Sequence, residues 1–151
     1  MLRAACFAVL LVALTGSAAA SPHLTVHVHG GSTQIISSSC FLKLKQRIVG
    51  GGAVIYCLKT FNGEPGPNAV VRDSGQMTFT LFVGAIRTNV SIVQRFSSDG
   101  AHARQTLTGK ITGGTKRYAG ARGTVSGGGT DVEHPPGSIR SSNLRYVFVL
   151  R

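Results

Sequence analysis

The chain has 151 residues, with 16 Lys and Arg against 5 Asp and Glu, 20 Gly and no Trp. That length holds one domain with a real core and leaves no room for a second. The net charge of +11 favours anionic surroundings such as nucleic acid, acidic envelope polymers or lipid headgroups, and beyond the N-terminus no segment approaches the ~20 apolar residues of a membrane span.

Residues 1–20 read as a signal peptide. Arg3 supplies the positive start, Ala4 to Leu14 the apolar run, and Thr15-Gly16-Ser17-Ala18-Ala19-Ala20 the small residues at which cleavage is expected. The apolar run is too short to span a bilayer as a stable helix; an uncleaved anchor is the competing reading. Removal leaves residues 21–151 as one secreted, extracytoplasmic domain of charge +10 (15 Lys and Arg against 5 Asp and Glu), not an integral membrane protein.

Leu24 to His29 alternates as a strand does. His27 and His29 share one face of it and would bind a transition metal if a third ligand arrived. Nothing nearby in sequence supplies one, so exposed strand histidines are the simpler reading and no cofactor is expected.

Two further strands, Cys40 to Val49 and Ala53 to Phe61, flank Gly50-Gly51-Gly52. Leu42, Leu44 and Ile48 share one face of the first, and Lys43, Lys45 and Arg47 the other, the pattern of a half-buried strand. Export puts Cys40 and Cys57 in an oxidising compartment, and the loss of Cys6 leaves them as one possible disulfide, with two separate thiols as the alternative. Simple pairing about the glycines sets Cys40 near Asn62 and Cys57 near Lys45, so a bond requires a bulge or a shifted turn.

Gly63 to Asn68 and Asp73-Ser74-Gly75 read as turns, which makes Glu64 and Asp73 turn carboxylates. Met77, Phe79, Leu81 and Val83 form the next alternating run, followed by Ile86, Val90, Ile92 and Phe96. Around Val93 both faces turn apolar, the one hint of a homo-oligomer contact. Ser98-Asp99-Gly100 is another turn, and Ala101, Ala103, Leu107 and Ile111 continue the alternation. The basic residues spread evenly over these strands, as on the wet outer face of a barrel, and this argues against a specific nucleic-acid site.

The next stretch, Ile111-Thr112-Gly113-Gly114-Thr115-Lys116-Arg117-Tyr118-Ala119-Gly120-Ala121-Arg122-Gly123-Thr124-Val125, is the most informative. Gly113 and Gly114 suit a tight reversal, and Gly120 and Gly123 a bulge, a bend or close backbone approach. The pattern Gly-Gly-Thr-x-x-Tyr-x-Gly-Ala-Arg-Gly resembles the signature near the end of the barrel in plant dirigent proteins and allene oxide cyclases, and in bacterial secreted proteins similar to them. It covers one hairpin. Lys116 stands where those families usually have another glycine, and no acidic residue lies between Gly109 and Thr130, so no catalytic acid is carried over. The resemblance implies an eight-stranded antiparallel barrel and, in the plant families, a pocket for small apolar or phenolic molecules.

Gly127-Gly128-Gly129 reads as one more turn. After it, Asp131, Glu133 and His134 form the one cluster of titratable groups, ahead of Pro135-Pro136-Gly137. On a loop at a barrel mouth such a cluster is either solvated or a candidate for proton transfer. Leu144 to Leu150 is the last strand.

The spacing of strands and turns gives an all-β sandwich or barrel, and the resemblance decides for a single eight-stranded antiparallel barrel. Two functions fit. The first is a secreted, non-enzymatic barrel that binds a small apolar or aromatic ligand or an anionic envelope polymer. The second is a dirigent- or cyclase-like protein, isomerase-like in activity, that steers cyclisation or coupling of a reactive small molecule in its pocket. The strand positions expected to face inward look apolar and free of Asp and Glu, which favours the first.

Overall fold

The computed structural model describes residues 22–136 and 138–151. Their strands are β1 (His23–Gln34), β2 (Leu42–Ile48), β3 (Ala53–Asn62), β4 (Val70–Leu81), β5 (Gly84–Phe96), β6 (His102–Gly114), β7 (Gly123–Glu133) and β8 (Ile139–Leu150). Each pairs antiparallel with the next, and β8 returns to β1, closing an eight-stranded barrel without a free edge. Residues 1–20, read from the sequence as a signal peptide, lie outside the described residues. Among those described, no helix is long and apolar enough to cross a membrane.

Alternation decides what fills the barrel. Along β8, Leu144, Tyr146 and Phe148 turn inward and are buried, while Asn143 and Arg145, on either side of Leu144, are exposed. The same parity runs through Val26 and Val28 of β1, Met77 and Phe79 of β4, Ile86, Val90 and Ile92 of β5, and Leu107 and Ile111 of β6. Phe79 packs edge-on against Tyr146 and Phe148, with ring centroids 5.5 and 4.8 Å apart. These side chains plug the half of the barrel nearest the β4–β5 and β6–β7 connections. Removing such apolar area from water at about 25 cal/mol per Å² is the main force that closes the sheet.

Cys40 and Cys57 form a disulfide, with Cα atoms 5.2 Å apart. The β2–β3 register pairs Lys43 with Cys57 and Leu42 with Leu58, so straight pairing does not bring the cysteines opposite each other. The chain ends its regular ladder at Leu42, and the Phe41 N–H donates to the Leu58 carbonyl at 2.8 Å, the carbonyl of the residue already opposite Leu42. That irregularity draws Cys40 back toward Cys57.

Two segments read as turns are strand instead. Asp73-Ser74-Gly75 lies inside β4, where β3 is irregular between Leu58 and Thr60 and its backbone crowds Gly75: a Cβ there would sit 2.2 Å from the Cys57 carbonyl oxygen. Gly127-Gly128-Gly129 is the middle of β7, between β6 and β8. At Gly128 a Cβ would come within 2.0 Å of the Gln105 carbonyl oxygen, so the run reflects close strand packing rather than reversal. Val93 is half-buried, paired with Arg72 on one side and Thr106 on the other, so its strand partners are polar.

The hairpin at 111–125 reverses later than its glycines suggested. Gly113 and Gly114 are the last residues of β6, and the chain turns through a short 3-10 segment, Lys116–Tyr118, with Lys116 itself at φ +51°. Gly120 has φ +74° and open space around it, whereas at Gly123 a Cβ would lie 1.9 Å from the Val149 carbonyl oxygen.

Candidate functional site

The half of the barrel opposite the apolar plug contains polar side chains. Asp73 on β4, Gln94 on β5, Gln105 on β6, Asp131 and Glu133 on β7, Ser142 on β8 and Gln46 on β2 are all buried. Each occupies an inward position of its strand. Asp73 follows Val71 and precedes Met77, Gln94 lies between Ile92 and Phe96, Gln105 between Ala103 and Leu107, and Gln46 between Leu44 and Ile48. The expectation that inward positions carry no Asp or Glu is thus overturned. Asp73 is 5 % exposed, Asp131 0 % and Glu133 1 %.

Hydrogen bonds order this layer. The Gln46 amide donates to the Ser142 hydroxyl at 2.6 Å, which donates to Asp131 Oδ1 at 2.5 Å. The Gln94 amide donates to Glu133 Oε1 at 3.4 Å. Deeper in, the Gln105 amide donates to the Tyr146 hydroxyl at 2.9 Å, and the Tyr56 and Tyr146 hydroxyl oxygens lie 3.1 Å apart. Among the described residues, the buried side-chain atoms Asp73 Oδ1 and Asp131 Oδ2 have no hydrogen-bond partner. A buried, unpaired acceptor is costly, and a proton or a donating ligand removes that cost.

Burial, followed by the neighbouring Glu133 charge, pushes Asp73 up to about 7. Burial also raises Asp131, against the lowering effect of the Ser142 hydroxyl and the Gln94 amide. Tyr56 is held well above its usual value by burial and by Tyr146. Near neutrality Asp73 therefore both holds and releases a proton, the property asked of a general acid or base.

Asp73, Glu133, Gln94, Gln105 and Gln46 line a cavity of about 40 Å³, walled by Leu42, Leu44, Leu58, Phe61, Ile92 and Ile139. Phe61 is stacked on the exposed Phe41 at the rim, with centroids 5.5 Å apart. A cavity of that size has room for about three waters, or for the tip of a ligand whose body lies at the mouth.

Of the sequence-predicted cluster, Asp131 and Glu133 are not solvated loop residues but buried strand residues, and His134 is parted from them, exposed in the β7–β8 connection. Asp73 joins them from β4. His27 and His29 are exposed on β1, His27 opposite Arg145, and among the described residues no three potential ligands assemble around a metal position. Asp73 and the three glutamines escaped sequence reasoning, though each shares the parity of the core residues two positions away.

Comparison with family models, curated proteins and solved structures finds no significant match.

Proposed function

We propose that this is an exported, dirigent- or cyclase-like barrel that receives the polar end of a small, largely apolar molecule in its acidic cup and exchanges a proton with it. The observation that carries the reading is Asp73: a nearly neutral-titrating carboxyl with an unpaired oxygen, facing Glu133 in a cavity with apolar walls. A barrel that bound its ligand passively would not need buried carboxyls, and their absence was the reason to prefer passive binding. The catalytic group is Asp73, whose proton affinity is raised first by burial and second by the Glu133 charge.

Protein-dependent deuterium uptake from heavy water, followed by mass spectrometry over a panel of short enolisable ketones, tests this. Uptake that disappears in Asp73→Asn, with the circular dichroism of the barrel unchanged, is the expected result. Uptake by no compound, or uptake indifferent to the substitution, returns the protein to passive binding.

A second reading has its own support. Three of the five carboxylates are inside the barrel, so the outside displays all fifteen Lys and Arg of the described residues against Glu64 and Asp99. On β5 and β6, Arg95 and Arg104 are direct cross-strand partners. Like charges so placed repel unless an anion lies over them. The outer wall thus suits an anionic envelope polymer, a role compatible with chemistry inside the barrel.

A further inference from the structure

The cup selects for charge as well as shape. Its described lining contains no Lys, Arg or His; Asp73 and Glu133 supply carboxylates, and the Gln46, Gln94 and Gln105 amides donate to Ser142, Glu133 and Tyr146. Asp73 Oδ1, on a side chain 95 % buried by the 5 % exposure that remains, is an acceptor with nothing to accept from. Around this polar floor the wall is aliphatic and aromatic, with Leu42, Leu58, Phe61 and Ile139 toward the mouth. A space of about 40 Å³ is too small for a ring but fits an ammonium group and the first carbons of its chain.

We infer that the ligand of this cup is a small primary amine with an apolar tail, its ammonium group seated against Asp73 and Glu133 and its tail against the aliphatic rim. The inference rests on the reading of the cup as a small-molecule site. An ammonium group brings three donors and no acceptor, which suits the unpartnered Asp73 oxygen beside the Glu133 carboxylate. In a site partly withdrawn from water, one positive charge between two carboxylates is favoured far more than at the surface. A neutral alcohol offers one donor and needs an acceptor's partner in return. A carboxylate ligand is repelled. The strongly basic outer wall does not attract amines from afar, so selectivity must come from the cup itself.

Methyl-labelled protein titrated with n-butylammonium, 1-butanol and butyrate, one at a time, separates the possibilities by nuclear magnetic resonance. The expected result is saturable shifts of the Leu42, Leu58, Ile92 and Ile139 methyl groups with butylammonium, at least tenfold tighter than with butanol, and none with butyrate. Asp73→Asn should remove the tenfold preference and keep the butanol shifts, and Glu133→Gln should do the same if the first variant fails to fold. Butanol binding as tightly as butylammonium, or alone, overturns the amine and leaves the cup as a small-molecule site. Shifts with none of the three overturn both.

Discussion

Asp73 has its unusual proton affinity because the β4 parity that buries Val71 and Met77 buries it too, opposite Glu133. The sign of its effect on stability follows. Its folded pKa, about 7, stands above the unfolded value of 3.8, so the folded chain binds the extra proton between those limits. The stabilising effect is complete below the unfolded value and is lost as pH rises through about 7. The melting temperature should therefore rise as pH falls from 8 to 5, and in Asp73→Asn, which cannot ionise, that slope should flatten. Thermal denaturation by circular dichroism at fixed ionic strength reads this directly; a wild-type slope of opposite sign would place Asp73 in water. In the sequence, Asp73 was hidden by Ser74-Gly75, which reads as turn chemistry although Gly75 is there to admit the β3 backbone.

At the scale of the elements, the alternation of Leu24–His29, Leu42–Ile48, Ile86–Phe96 and Leu144–Leu150 was legible because one face is packed and the other wet. The eight-stranded antiparallel barrel followed from it together with the resemblance of the 111–125 hairpin. What the pattern concealed was β7, whose central glycines serve close packing between β6 and β8, and with it the strand position of Asp131 and Glu133. Glycines of the preceding hairpin differ in kind. Gly120→Val should cost about 1–2 kcal/mol, the strain of a side chain at positive φ, whereas Gly123→Val adds a collision with the Val149 carbonyl and should cost ~3 kcal/mol or more. Equal denaturation midpoints for the two variants would contradict this difference. The disulfide staples the β1–β2 connection to β3 over a sequence separation of 17 residues. Loop-closure entropy for a ring of that size is about 3 kcal/mol, so the Cys40→Ser, Cys57→Ser double variant should unfold at correspondingly lower denaturant and be insensitive to reductant. A midpoint unchanged from that of the oxidised protein would show that the staple adds nothing.

As a whole molecule, the barrel segregates charge, with carboxyls within and cations without. The outer face should bind a polyanion such as polyphosphate with an affinity that falls steeply with salt, because exposed charges are screened over about 10 Å at 0.1 M. The paired Arg95→Gln, Arg104→Gln change should weaken binding more than the paired Lys45→Gln, Arg47→Gln change on β2; equal losses in a filter-retention assay would mean diffuse attraction only. The inner face makes the sharper claim, that this barrel keeps an acidic cup with a proton to exchange. Carbon-detected magnetic resonance titration of the Asp and Glu side-chain carboxyls in the intact, oxidised protein tests it most directly. The predicted result is a midpoint of about 7 for Asp73 and a raised midpoint for Asp131. Midpoints for both in the ordinary range near ~4 would contradict it, since water would then reach carboxyls that the barrel is said to enclose.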